Sequence, residues 1–345
     1  MSTSTTPTTF ADLYTDVLTQ ARSDTGTTST ANAKRFLNQG LHDLHIQQDW
    51  SWAERPGYLQ THATYTTGSV SVADSTRTTL EGTNTAWATT VTGMGFNNAR
   101  AGGKVRVGGE EEVYRVNAVG GATSITLESR YVGSVGTAST YALAYGTYTY
   151  YEDEYALASD FWRLADIRSF STVMDIPVIG RQEFYRRFPR NANTGEPIVC
   201  TILTDIGPSS STDWRPRVIF HPAPSSVLSI PYRYYTRNLA VDSTGAALTQ
   251  MSSDTDEPII PLRYRHVLIF YALREWYRDL KDDNRFSAAD SAYTDLVVRM
   301  ANDSEPQRDR PRLAFGKGRY LAGVAGHTRR RSRWTTGTAF DEMRE

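Results

Sequence analysis

A Thr-, Ser- and Gly-rich segment, GSVSVADSTRTTLEGTNTAW from Gly68 to Trp87, lies between two blocks that have helical periodicity. Val70 and Val72 alternate with small residues, and Asp74-Ser75 has the composition of a tight turn. A repeat of two residues places alternate side chains on opposite faces of a strand, whereas a helix repeats every 3.6 residues. The segment therefore predicts two half-buried strands of a small β module set into a partly helical protein.

The period-two pattern continues over residues 60–145. Apolar runs in this region are separated by the pairs Gly108-Gly109 and Gly120-Gly121. Such pairs indicate hairpins, because type I′ and II′ turns require positive φ angles that glycine adopts freely. We therefore predict an inserted small antiparallel β barrel or sandwich of about five or six strands.

Apolar residues near the N-terminus recur with helical spacing. The first stripe runs from Phe10 to Ala21, with Thr9 and Asp12 at capping-box spacing. A second stripe follows a candidate cap at Thr30 and includes Gly40. Because glycine costs about 1 kcal/mol in an exposed helix, we interpret Gly40 as a position of close packing.

A second helix pair is predicted after Pro261. Its apolar stripes run from Tyr264 to Trp276 and from Phe286 to Met300. Between the β module and this pair, the sequence predicts short helices over 161–170 and 182–187 and strands near 198–204, 217–221 and 228–235. The predicted fold class is α+β: a helical bundle formed by the N- and C-terminal helix pairs, an inserted β module, a second β segment and an extended C-terminal tail.

This organisation predicts domain boundaries. We expect a disordered arm over residues 1–8, a helix pair over 9–59, the inserted β module over 60–145, short helices and a β segment over 146–262, a helix pair over 263–303 and an extended basic tail over 304–345. The first helix pair and residues 146–303 are expected to form the main domain.

The charge of the chain is unevenly distributed. The formal net charge is −1, but residues 306–345 contain ten Lys and Arg residues against four acids, a local balance of +6. Such asymmetry predicts a tail that binds an acidic partner, or one that is simply solvated. The candidate interface residues are Lys317, Arg319, Tyr320, Arg329, Arg330, Arg331, Arg333 and Trp334. Arginine binds carboxylates bidentately, and tryptophan is enriched at interface hot spots.

The composition, 39% hydrophobic and 22% charged, is that of an ordinary soluble protein. No apolar run approaches the roughly 20 residues that span a bilayer, and the N-terminal sequence lacks the features of a secretory signal. We therefore expect no membrane association. The single cysteine, Cys200, excludes an internal disulfide framework and any multi-cysteine metal site, which fits assembly in a reducing cytoplasm.

Candidate reactive groups are few. His42 and His45 are spaced for one helix face, with only His62 nearby, and we interpret them as surface or interface histidines in preference to a metal site. The acidic runs Glu110 to Glu112 and Glu152 to Glu154 could pair carboxylates for glycoside hydrolysis, but adjacent acids are usually solvated. We predict a protein that is not an enzyme and that has no catalytic, cofactor-binding or metal site.

Four features, taken in order, resemble one protein family. The first is the helix pair ending in Asp49 to Trp52, and the second is the G-x-V-S-V…T-x-L-x-G-T-x-T-x-W block from Gly68 to Trp87. The third is the segment YALASDF from Tyr155 to Phe161, which is similar to Y-x-L-P-x-D-F with Ala158 replacing proline. The fourth is FHPAP from Phe220 to Pro224, followed by YRYYTR and a helical hairpin. Together they cover most of residues 8–303. The sequence resembles the head-to-tail connector (adaptor, neck) proteins of tailed bacteriophages.

This resemblance implies a structural virion protein located in the neck, between capsid and tail, and assembled in the host cytoplasm. Its expected partners are further copies in a ring, usually twelve-fold, the portal protein and a downstream tail or neck protein. Packaged DNA would pass through the ring without sequence-specific binding. The alternative is a virion-associated carbohydrate- or receptor-binding β module mounted on a helical scaffold.

Overall fold

The computed structural model describes residues 7–72, 77–91, 95–108, 110–133, 146–168, 175–203 and 215–304. The helices are α1 (Phe10–Ala21), α2 (Thr27–Gln47), α3 (Arg181–Arg187), α4 (His266–Asp279) and α5 (Asp283–Ser304). The strands are β1 (Glu54–Gln60), β2 (Ser69–Val72), β3 (Thr79–Thr83), β4 (Lys104–Val107), β5 (Tyr114–Gly121), β6 (Ser124–Leu127), β7 (Tyr148–Tyr151), β8 (Glu154–Ala156), β9 (Phe161–Ile167), β10 (Thr194–Gly195), β11 (Val199–Leu203), β12 (Arg217–His221), β13 (Ala223–Pro224), β14 (Ser229–Thr236), β15 (Ala240–Val241), β16 (Ala247–Leu248) and β17 (Glu257–Pro258). Residues 1–6 of the predicted arm and 305–345 of the predicted tail lie outside the described residues.

The N-terminal helices begin with different caps. The capping box of α1 is confirmed: the Thr9 hydroxyl accepts from the amide of Asp12, and the Asp12 carboxylate accepts from the amide of Thr9. The predicted cap of α2 at Thr30 is wrong, since Gly26 is the N-cap. The Thr30 amide already donates to the Gly26 carbonyl within the first helical turn.

Helices α1, α2, α4 and α5 contribute to one buried apolar cluster, together with Trp50. Gly40 of α2 faces Tyr271 of α4, and a Cβ at this glycine would lie 2.6 Å from Tyr271 Cδ1. The interpretation of Gly40 as a close-packing position is therefore confirmed. Leu37 and Leu41, on the same face of α2, are fully buried.

The inserted region contains a six-stranded antiparallel sheet with the order β2-β3-β6-β5-β4-β7, which confirms the predicted number of antiparallel strands. Val70, in the first strand β2, forms an antiparallel bridge with Gly146, which lies just before the last strand, β7. The two edges of the sheet therefore approach each other, and the sheet is curled. Trp87 is fully buried against this sheet and donates through Nε1 to the Tyr148 hydroxyl at 2.9 Å. The predicted turn at Asp74-Ser75 lies outside the described residues.

Two three-stranded sheets connect distant parts of the chain. One has the order β1-β14-β9, and the other has the order β11-β12-β8. The strands predicted near 198–204, 217–221 and 228–235 are confirmed as β11, β12 and β14, and the helix predicted over 182–187 is confirmed as α3. The helix predicted over 161–170 is wrong, because residues 161–167 form β9 and pair with β14. Backbone pairing with a strand distant in sequence outweighs local helical spacing there.

The predicted fold class, with a helical bundle as its foundation, is wrong. Helices and strands each make up 31% of the described residues, in a mixed α/β architecture whose strands form five sheets over that part of the chain. Apolar stripes on helices are visible in any short window of sequence, whereas the pairing of β1 with β14 joins strands that are far apart in the chain. The predicted domain boundaries stay a prediction, and the six-stranded sheet extends past residue 145 to β7.

Candidate functional site

The acidic run Glu152 to Glu154, at the junction of β7 and β8, lies at the centre of the main polar network. Asp153 is 1% exposed, and its Oδ2 accepts from Lys104 Nζ at 2.5 Å and from Asn191 Nδ2 at 2.6 Å. The curled sheet contributes Lys104 through β4, and Asn191 lies between α3 and β10. The carboxylate therefore links three separate segments of the chain.

Glu152 is buried against a guanidinium group. Arg100 binds its carboxylate through two nitrogens, one of them Nε at 2.9 Å from Oε1, and the Tyr150 hydroxyl donates to the same Oε1 at 2.6 Å. Burial, followed by the neighbouring Glu152 charge, raises the pKa of Tyr150 well above its ordinary value. The hydroxyl of Tyr150 is therefore a permanent donor to Glu152 at physiological pH.

Glu154 is also paired. Its Oε1 lies 2.9 Å from Arg217 Nη1, and its Oε2 lies 3.7 Å from Arg115 Nη2. Beside these pairs is a cleft of about 430 Å³ whose lining includes Arg100, Glu154, Arg217 and the exposed ring of Tyr58. Both glutamates that line the cleft are paired with arginines.

His221 and Asn191 extend this network. Their side chains contact through Nδ1 and Oδ1 at 2.5 Å, and the Phe188 ring stacks on the imidazole at a centroid distance of 3.6 Å. Burial lowers the pKa of His221. The sequence did not predict roles for Arg100, Lys104 and Asn191, because each is an isolated polar residue with no motif around it. His221 belongs to the FHPAP motif, but that motif did not predict its contact with Asn191.

The second acidic run, Glu110 to Glu112, also contacts side chains from other parts of the chain. Arg190 pairs with Glu111 at 3.0 Å and with Glu112 at 3.4 Å, and the Tyr131 hydroxyl donates to Glu110 at 2.9 Å. Glu111 is largely exposed, so these contacts contribute little to stability. The carboxylates of Glu110 to Glu112 are therefore contacted by one arginine and one hydroxyl of the same chain.

The histidines on α2 do not converge. His42 is exposed, whereas His45 is 5% exposed, with its ring 4.3 Å from the Trp162 ring centroid. His62 is buried elsewhere, with Nδ1 2.6 Å from the Ala63 carbonyl oxygen and Nε2 2.8 Å from that of Asn97. Over the described residues there is no group of three or more His, Cys, Asp or Glu side chains that could hold a metal ion.

We expect His45 to make stability dependent on pH. Burial, with the positive charges of His42 and Arg163, lowers its pKa to about 4 from 6.5. Because the folded-state pKa lies below the unfolded value, the stabilisation is complete above pH 6.5 and is lost as the pH falls towards 4. Between pH 7 and 4.5 we expect wild type to lose about 2–3 kcal/mol more than His45→Leu in urea unfolding. An equal loss in wild type and His45→Leu would contradict this assignment.

Cys200 is fully buried in β11, and burial raises the pKa of its thiol to about 12. A thiol in that state is a poor nucleophile at neutral pH. The tail residues predicted to contact a partner, from Lys317 to Trp334, lie outside the described residues.

No family model and no curated protein sequence matches the chain. Among the described helices, none combines the length and the apolar character needed to cross a bilayer.

Proposed function

We propose that this protein is a structural subunit of a tailed-bacteriophage virion, a head-to-tail connector that assembles into a ring. In this role it docks on the portal protein, joins it to a downstream tail or neck protein and surrounds the DNA channel. Support comes first from the ordered motifs over most of residues 8–303 that resemble connector proteins. The proposed location is the neck of the virion, and the proposed ring is twelve-fold.

The observation that carries this proposal is the use of the buried ionisable groups. Asp153 and Glu152, which are buried, and Glu154, which is partly buried, are all committed to internal ion pairs with residues from other segments of the chain. Other polar contacts also join residues distant in the chain, among them Gln47 with Tyr293 at 2.9 Å. Side chains that hold segments together in this way suit a rigid building block, since an active site needs groups free to react.

Exposed apolar side chains provide the second support. Large hydrophobic residues more than half exposed occur on separate elements: Ile46, Tyr58, Val132, Ile198, Leu280 and Val298. In a ring, each subunit must contact two neighbours, the portal and the tail. Apolar residues on several sides of one subunit can supply the buried centres of such interfaces.

The tail supplies the proposed contact with the portal or a neighbouring subunit. Four arginines, Arg329, Arg330, Arg331 and Arg333, precede Trp334, and Lys317, Arg319 and Tyr320 lie upstream. Guanidinium groups pair with carboxylates in a fixed geometry, and the indole offers an apolar anchor. The DNA contact is proposed to be non-specific, because DNA must slide through the channel.

The experiment is electron microscopy and light scattering of the purified protein, alone and mixed with its portal. Full-length protein is expected to form rings and to bind the portal. The substitution of Arg329, Arg330, Arg331 and Arg333 by glutamate is expected to weaken portal binding more than tenfold at low salt, with less difference at high salt. Glutamate at Arg308, Arg310 and Arg312, three arginines outside this cluster, serves as the control for the change of charge.

Two results would count against the proposal. A protein that remains monomeric with its portal at high concentration is not a connector. If that monomer binds glycans, the carbohydrate-binding alternative is favoured instead. Equal portal binding by the two arginine variants would exclude the 329–334 cluster as the anchor while leaving ring formation to decide the function.

A further inference from the structure

A groove lies among the C-terminal end of α1, the second half of α4 and the first turns of α5. Its volume is about 320 Å³, within the range of sites that hold a few side chains of a ligand. The buried side chains of Leu273, Tyr277 and Ala289 form its base, and Phe270 is partly buried beside them. It is an apolar groove between helices, the kind of surface that accepts an amphipathic segment.

The rim of this groove is positively charged. Arg22 and Arg285 both line it and are exposed. Arg285 lies over the Tyr277 ring at 5.7 Å and has a 3.4 Å ion pair with Asp282, whereas Arg22 has no ion pair with any residue in the described part of the chain. An occupant must therefore combine apolar side chains with carboxylates.

The part of the chain that follows α5 contains three apolar stretches, and their charges differ. Residues 313–315 lie between Arg312 and Lys317, and residues 320–325 follow Arg319, so both uncharged stretches are flanked by residues of the same sign as the groove. The third stretch, AFDEMRE over 339–345, contains Phe340 and Met343 together with three acids and Arg344, a net charge of −2. A spacing of three residues places Phe340 and Met343 on one side of a helical turn. Of these three stretches, residues 339–345 have the net charge opposite to that of the groove rim, and we therefore choose them as the occupant.

The distance is compatible with docking within one chain. Ala288, at the groove, and Ser304, at the end of α5, are 16 positions apart, or about 24 Å along a helix. Residues 305–338 connect α5 to the acidic stretch, and a flexible chain of that length has a root-mean-square span of about 30–35 Å. A linker whose span matches the distance gives an effective concentration in the millimolar range.

We propose that residues 339–345 dock in their own chain's groove among α1, α4 and α5, with Phe340 and Met343 on the apolar base and the acids on Arg22 and Arg285. Docking of this kind would hold the far end of the tail against the folded part of the subunit. It would leave the basic segment 317–334 as a loop anchored at both ends. The inference concerns the isolated subunit and does not depend on ring formation or portal binding.

The test uses the full-length protein with the photo-crosslinking residue p-benzoylphenylalanine at position 340. Illumination is expected to give intrachain crosslinks to residues 20–22 or 270–289, identified by mass spectrometry. The double substitution Arg22→Glu and Arg285→Glu is expected to reduce their yield at least fivefold, whereas Arg299→Glu, an exposed arginine on α5 outside the groove, leaves the yield unchanged. A synthetic peptide of residues 336–345 should compete, and its Phe340→Ala form should not.

A second variant covers the case in which the double substitution alters the fold. Ala288→Glu adds an acid to an exposed position that lines the groove on α5 and is expected to reduce the crosslinks by a similar factor with an unchanged circular dichroism spectrum. The proposal is overturned if crosslinks fall only outside the groove, if they join two chains, or if Arg299→Glu reduces them as much as the groove variants do.

Discussion

We expect Lys104→Met to lower the free energy of unfolding by about 3 kcal/mol, the lower end of the range for breaking a buried ion pair. Its ammonium group lies 2.5 Å from Asp153 Oδ2, and Asp153 is 1% exposed. Methionine preserves the length of the side chain but leaves the buried carboxylate with Asn191 as its remaining described side-chain donor. We expect a loss at the lower end of that range because the Lys104 side chain is 24% exposed, so solvent already screens part of the ion pair.

A double-mutant cycle tests whether the loss comes from the stranded charge. In the variant Lys104→Met with Asp153→Asn, the buried group is neutral and its amide oxygen can still accept from Asn191. We therefore expect the double variant to be more stable than Lys104→Met alone, by about 1 kcal/mol or more. Urea unfolding at pH 7 measures all four proteins. Simple additivity of the two single substitutions would show that Lys104 contributes by packing and not by pairing.

The second large effect is expected at Trp50, where alanine should cost about 3–5 kcal/mol. Trp50 is fully buried in the helical cluster, and its Nε1 donates to the Leu44 carbonyl at 2.6 Å. That carbonyl lies in the last turn of α2. The indole therefore fills the core, and its N–H also binds the end of a helix.

Two further variants separate these contributions. Trp50→Phe retains most of the ring but loses the donor, and we expect a cost of about 1–2 kcal/mol for the lost hydrogen bond and the smaller ring. Trp52→Ala is the matched control, because Trp52 stacks on Trp50 at a centroid distance of 6.1 Å but is only partly buried. Equal losses from Trp50→Ala and Trp52→Ala in urea unfolding would contradict the importance assigned to the fully buried ring.

The candidate site shows how far sequence reasoning reaches. The acidic run from Glu152 to Glu154 can be identified in the sequence. The sequence also favours the interpretation that adjacent acids rarely take part in catalysis. Its partners were not predictable, because Arg100 and Arg217 reach it only after the chain has folded. The sequence interpretation treated these acids as solvated, whereas Asp153 is buried and held by a cation and an amide.

The sequence by itself determined the elements that rest on contacts between near neighbours. These include α1 with its capping box at Thr9, the close approach at Gly40 and the strands of the curled sheet. Periodicity and caps act over a few residues, so any short window contains them. The tertiary structure alone decided that residues 161–167 are a strand, that β1 pairs with β14 and that the described residues form a mixed α/β fold and not a helical bundle. Those outcomes depend on backbone hydrogen bonds and buried charges brought together from distant parts of the chain, for which no local pattern exists.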